Sequence, residues 1–126
     1  EKGGAGCFEC HSGPHFSDFA YRNNGLRPDQ DLNDLGRYQI TGKKKDKFLF
    51  STPSLRNIAI TSPYMHDGRF EKLTEVIEHY NNPAHQSPTL DPALKKLGLR
   101  LKAEEKKALI SFLQSLTDPQ FIDDAK

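Results

Sequence analysis

The chain has 126 residues, enough for one domain with a modest core. Apolar residues make up 35% of it and its mean hydropathy is −0.73, lean for a core that must hold by itself. A net charge of +1 gives no case for nucleic-acid binding, and no apolar run is long enough for membrane insertion.

Glu1 to Gly6 is glycine-rich and leads straight into Cys7-Phe8-Glu9-Cys10-His11, two thiols and an imidazole within five residues. This is the attachment sequence for a c-type haem. The sulfurs add to the porphyrin vinyl groups, and the imidazole coordinates the iron from one face. Cysteines three apart share one side of a helical turn, and the next residue brings the histidine under the ring. Ser12-Gly13 then lets the backbone leave the porphyrin. One covalent haem c would supply apolar surface that the composition lacks, and it would use both cysteines.

Two other uses of Cys-x-x-Cys compete with this one. A thioredoxin-like redox pair wants a strand–helix–strand setting, which the flanking sequence does not offer. A zinc site would need ligands from His15, His66, His79 and His85, since there is no second cysteine pair. Haem attachment of this kind takes place outside the cytoplasmic membrane, so the expected location is periplasmic. The chain reads as a mature protein, or as a fragment that has lost its leader.

Gly13 to Asp46 is expected to be irregular, with turn signals at Gly13-Pro14, Asn23-Asn24-Gly25, Arg27-Pro28-Asp29 and Asp34-Leu35-Gly36. A loop of this length belongs round a cofactor or a functional site. Lys43-Lys44-Lys45-Asp46-Lys47 reads as a solvated turn, or more sharply as a docking patch for an acidic redox partner. Phe48 to Tyr64 reads as a short helix or an extended segment followed by a turn. Leu73, Val76, Ile77 and Tyr80 then fall at i, i+3, i+4 and i+7, one apolar face of a helix that Asn81-Asn82-Pro83 ends. Asp91-Pro92 opens a predicted short helix through Leu97, closed by Gly98. Ala103 to Leu116 is an amphipathic helix with Leu109, Ile110, Phe112, Leu113 and Leu116 on its apolar face, and Pro119 is expected to stop it. The fold class is therefore mainly α: a cytochrome c-like haem domain with long loops, a haem-bearing helix first and a packing helix last.

The run from Phe50 to Gly68, with Thr52-Pro53-Ser54-Leu55-Arg56-Asn57 and Pro63-Tyr64-Met65-His66-Asp67-Gly68, resembles the signature of the C-terminal haem domain of bacterial di-haem cytochrome c peroxidases and MauG. Asp34-Leu35-Gly36-Arg37-Tyr38 and the closing Leu109 to Thr117 fit the same family, so the resemblance covers nearly the whole chain. It implies that residues 1–126 are one cytochrome c-like domain, the C-terminal half of a two-haem protein. The implied activity is hydrogen-peroxide reduction, with electrons relayed to a peroxide-reacting haem in a missing N-terminal domain. The implied partners are that domain and a soluble redox protein (a cytochrome c or cupredoxin) or a protein substrate. The domain by itself is expected to be inactive. The alternative is a stand-alone mono-haem electron carrier.

Residue reading leaves the sixth ligand open among Met65, the histidines His66, His79 and His85, and Tyr80, whose ring continues the inward face of its helix. The resemblance favours Tyr80. In its terms the position after the His66-Asp67-Gly68 turn carries a ligand methionine in classical members and an iron-bound tyrosine in MauG-like ones. Arg56, and more weakly Arg37, are candidates to pair with a haem propionate. His66 is a candidate to line the distal pocket or bond a propionate. The resemblance further implies a calcium ion held by the backbone carbonyls of Thr61 and Pro63 plus a side chain from the missing half. No residue is singled out as catalytic.

Overall fold

The computed structural model describes residues 5–94 and 97–124. The cysteine motif forms a single 3₁₀ turn, Cys7–Glu9, rather than a full α-helix. The turn is nonetheless closed in the α manner, because His11 N donates to Cys7 O at 2.8 Å. The chain then folds back at Gly13, with Asp18 N donating to Cys10 O at 2.8 Å, so the helix has no room to continue.

A two-stranded antiparallel sheet pairs β1 (Tyr21–Arg22) with β2 (Phe50–Ser51), in the register Tyr21↔Ser51 and Arg22↔Phe50. It ties the first loop to the start of the family-like signature. Between them lies α1 (Tyr38–Thr41), a single turn ended by Gly42 in the left-handed region at φ 65°. The segment expected to be helical or extended is both, for a 3₁₀ turn at Ile58–Ile60 follows β2.

α2 (Leu73–Asn81) matches the predicted stripe, with Ile77 buried. Its first turn is closed by the Glu75 carboxylate, which accepts from Lys72 N at 2.9 Å and Glu71 N at 3.0 Å. α3 (Ala103–Ser115) buries Leu113 against the rest of the fold, but Phe112 stands 47% exposed rather than on a sealed face. Lys106 on α3 pairs with Glu78 on α2. Asn57 clamps the end of α3: its backbone N–H donates to Leu116 O at 3.0 Å, and its Oδ1 accepts from Asp118 N at 2.7 Å.

Two further expectations change. Pro119 does not merely stop α3 but begins α4 (Pro119–Asp124), with Asp118 Oδ1 accepting from Gln120 N at 3.0 Å. A proline lacks an N–H, which the first helical position does not need. The predicted helix from Asp91 to Leu97 runs partly outside the described residues. Its described part, up to Leu94, is turn and bend, although Asp91 Oδ1 does accept from Ala93 N as a cap would.

Helices are few, the sheet is small, and turns and loops connect them over much of the described chain. The apolar core is thin: among the described residues Leu26, Tyr64, Ile77 and Leu113 are its buried members, and no described large side chain is completely sealed. No described helix is long and apolar enough to cross a membrane.

Candidate functional site

Both cysteines are free thiols. Desolvation pushes each of them up. At Cys10 the Arg22 guanidinium opposes this, and Asp91, Asp18 and Glu9 add to it. A thioredoxin-like pair requires the reverse, a thiol activated by a lowered pKa. The zinc reading finds no ligand set either, since among the described residues no three of His, Cys, Asp and Glu come together to hold a metal ion.

His11 is oriented by its neighbour five residues on. Its Nδ1 lies 3.0 Å from Phe16 O, and a carbonyl can only accept, so Nδ1 carries a proton and Nε2 is the nitrogen left for a metal. That is the tautomer an iron ligand requires. The Phe16 loop is braced from the family-like segment. Arg56 Nε–H donates to Pro14 O at 2.7 Å, and Ser54 Oγ–H donates to His15 O at 2.6 Å. The Arg56 guanidinium also covers the Phe16 ring, 5.6 Å from its centroid. Arg56 therefore serves the loop that aims His11.

On the C-terminal side of the motif, Arg22 bridges Asp18 (2.5 Å) and Asp91 (2.6 Å). Asp18 and Arg22 hold the strand that leads away from the motif, and Asp91 belongs to the loop after α2.

Tyr80 lies on α2, and burial pushes its hydroxyl up. In the turn before α2, Met65 Sδ accepts from Asn24 Nδ2 at 3.5 Å. His79, beside Tyr80, spends Nε2–H on Asn24 O at 3.0 Å, and burial pushes its pKa down, which suits a neutral ring.

The remaining predicted residues lie elsewhere or have other partners. His66 stacks on Phe50, with ring centroids 3.6 Å apart, and lines a polar cavity of about 390 Å³ with Leu32, Asp34, Gln39 and Asp67. Arg37 covers the Tyr21 ring at 4.2 Å and reaches Asp46 at 3.7 Å. Thr61 and Pro63 are exposed. Their Tyr64 neighbour is anchored by its hydroxyl, which donates to Ile58 O at 2.8 Å. In the lysine run Asp46 is buried, accepting from Thr41 Oγ1 at 2.7 Å, while Lys43, Lys44, Lys45 and Lys47 are exposed. Asn24, which the sequence presented only as part of a turn, meets both Met65 and His79.

The residues present fit a covalently bound haem. Two neutral thiols sit on one turn, and an imidazole with a free Nε2 follows them. Among the described residues the buried apolar core is small, which leaves apolar surface for a porphyrin to cover.

No family model matches the chain. It is 35% identical to the cytochrome-c peroxidase IdrP1 of Denitromonas iodatirespirans, over 98% of this chain and 40% of that protein. It is 33% identical to the methylamine utilization protein MauG of Methylorubrum extorquens, over 90% of this chain and 31% of that protein. With the cytochrome c551 peroxidase of Nitrosomonas europaea the identity is 31%, over 93% and 32% respectively. A crystal structure of a MauG-like protein associated with microbial copper homeostasis superposes with a TM-score of 0.77 at 32% identity, covering 94% of this chain and 44% of that one. The chain thus spans less than half the length of these relatives.

Proposed function

Because the chain belongs to the cytochrome c peroxidase and MauG family, we propose that it is the C-terminal, electron-relaying haem domain of a two-haem, peroxide-reducing enzyme. Its partners are an N-terminal domain carrying the peroxide-reacting haem and a soluble electron donor or oxidisable protein substrate. The setting is periplasmic, where haem attachment of this type takes place.

The observation that carries the reading is the Cys7–Cys10–His11 turn, in which Phe16 O engages His11 Nδ1 at 3.0 Å, in a chain that matches its peroxidase and MauG relatives over at least 90% of its length. One haem c, when bound, supplies the one-electron chemistry. Cys7 and Cys10 would hold the porphyrin, and His11 Nε2 and Tyr80 would ligate its iron. A phenolate oxygen is a hard anionic donor that stabilises the higher iron charge and lowers the reduction potential. A thioether from Met65 would do the reverse. His11 is kept in register by Phe16 O, and Arg56 and Ser54 keep the Phe16 loop in place. The outer N–H groups of Arg56, and His66 near its polar cavity, are the candidates to meet propionates. A calcium ion would take the Thr61 and Pro63 carbonyls together with donors from the other domain.

Mass spectrometry of the purified chain tests the cofactor, with one covalent haem expected and two free thiols overturning it. The ligand is tested by Tyr80→Phe. Loss of a phenolate-to-iron charge-transfer band is expected, and an unchanged spectrum removes Tyr80 from the iron.

A further inference from the structure

Pro14, His15 and Phe16 are consecutive, and each of their carbonyls accepts from a different donor. Pro14 O accepts from Arg56 Nε–H at 2.7 Å, His15 O from Ser54 Oγ–H at 2.6 Å, and Phe16 O from His11 Nδ1–H at 3.0 Å. The first two are fastened to the segment after β2, and the third is left for the imidazole. Ser17, next along the chain and buried, donates its hydroxyl to Thr52 O at 2.8 Å. Residues 52–56 thus form a strap that grips the loop at three points.

The grip matters because Phe16 holds a backbone conformation that needs support. Its φ of 50° lies in the left-handed region, sparsely populated by residues with a bulky side chain. Such a conformation persists where its surroundings over-determine it. The loop's own bonds, Phe16 N to Gly13 O at 3.0 Å and Ser17 N to Ser12 O at 2.9 Å, close the turn. The bonds from the strap fix where that turn lies against the motif. The strap is firm in itself, since Ser54 Oγ also accepts from Arg56 N at 3.1 Å. Its far end is anchored through Asn57, which bonds Leu116 O and Asp118 N at the end of α3.

We infer that Ser54 and Arg56 are positioning residues that set the reduction potential of the haem iron through His11. A carbonyl that accepts from Nδ1–H makes the other ring nitrogen a stronger donor. A stronger donor favours ferric over ferrous iron. Holding Phe16 O on the ring therefore keeps the potential low, and letting the loop drift raises it. The inference rests on the proposed haem reading with His11 as a ligand, and it holds whichever side chain takes the opposite face of the iron.

The test is the midpoint potential of the haem-loaded protein, taken by spectroelectrochemical titration, with exchange of the His11 Nδ1 proton against solvent followed by NMR. Ser54→Ala removes one donor without a change of charge, and Ser54→Thr gives the hydroxyl back. Arg56→Lys keeps the cation and removes the Nε–H. Asn57→Gly is the control: it accepts the φ of 60° found there and takes the acceptor from Asp118 N, leaving the bonds to the loop in place. The expected result is a more positive potential and faster exchange in Ser54→Ala and Arg56→Lys. Ser54→Thr should return the parent values, and Asn57→Gly should keep them at lowered stability. A potential that stays put or moves negative in both Ser54→Ala and Arg56→Lys overturns the inference. An equal shift in Asn57→Gly overturns it too, because loosening anywhere would then suffice. A shift in one of the two variants alone removes the other residue from the role. A protein that mass spectrometry shows without covalent haem overturns the reading underneath, whereas unmoved potentials in a loaded protein overturn this inference only.

Discussion

His11 donates its Nδ1 proton to the carbonyl oxygen of Phe16 across 3.0 Å, so the loop after the cysteine motif sets the histidine's tautomer. The Phe16 ring holds that loop against α3, meeting Phe112 edge-on with centroids 6.1 Å apart. Phe16→Ala keeps the carbonyl and removes the brace. It is expected to lower stability by about 2 kcal/mol, measured by urea unfolding of the loaded protein. A double-mutant cycle with Phe112→Ala should show about 1 kcal/mol of coupling between the rings, and strict additivity would deny the contact any energetic weight.

Acid should loosen the join between the motif and the loop after α2. Hydrogen bonds from Arg22 hold the Asp18 carboxyl below the usual carboxylate range. A group depressed in the fold contributes stability that is complete above its unfolded pKa, about 4, and is lost as pH falls through the folded value. The unfolding midpoint should therefore drop steeply below about pH 4. Asp18→Asn should flatten that limb while lowering the plateau at neutral pH. An acid limb identical in the two proteins would show that the pair has no part in it.

The sequence was most legible where one chemical or periodic rule acted alone. Leu73, Val76, Ile77 and Tyr80 place α2 by their spacing, because packing demands one apolar face. Cys7, Cys10 and His11 announce their chemistry, yet the helix expected to carry them shrinks to one turn because Ser12-Gly13 folds the chain back at once. β1 and β2 escaped notice because two residues apiece cannot show an alternating pattern. Pro119 was misjudged because a proline reads alike whether it ends one helix or begins the next. Asn24 was hidden for a related reason: Asn-Gly already explains itself as a turn, so nothing local points to a side chain that meets Met65.

Gly98 makes the same point, and it can be tested. It was expected to close a short helix. It instead lets the chain lie against the end of α2, where Leu99 N donates to Tyr80 O at 3.0 Å and Leu101 N donates to Asn81 Oδ1 at 2.5 Å. At φ 74° a Cβ there would stand 2.2 Å from Asn81 O, which is backbone and cannot swing aside. Gly98→Ala should cost about 3 kcal/mol, read as a lowered urea midpoint. A loss under about 0.5 kcal/mol, the range of a neutral surface change, would mean the approach is not required.

The lysine run gives the last prediction, because its one acid behaves unlike its bases. Asp46 is buried, accepts from the Thr41 hydroxyl at 2.7 Å and lies 3.7 Å from the Arg37 guanidinium. Its charge is thus spent inward, and Lys43, Lys44, Lys45 and Lys47 present theirs to solvent, with Ile40, 90% exposed, on the adjoining helix. Asp46→Ala strands a hydroxyl and a cation, and should cost about 2 kcal/mol in urea unfolding. Reversing Lys43 and Lys45 to Glu touches nothing buried and should change stability by less than about 0.5 kcal/mol. Its effect should fall on association instead. Electron exchange with an acidic redox protein should slow by about tenfold at low salt and converge with the parent at high salt. Stopped-flow kinetics across an ionic-strength series measures this. A rate indifferent to the reversal at every salt concentration would leave the lysines as solvated charge with no partner to steer.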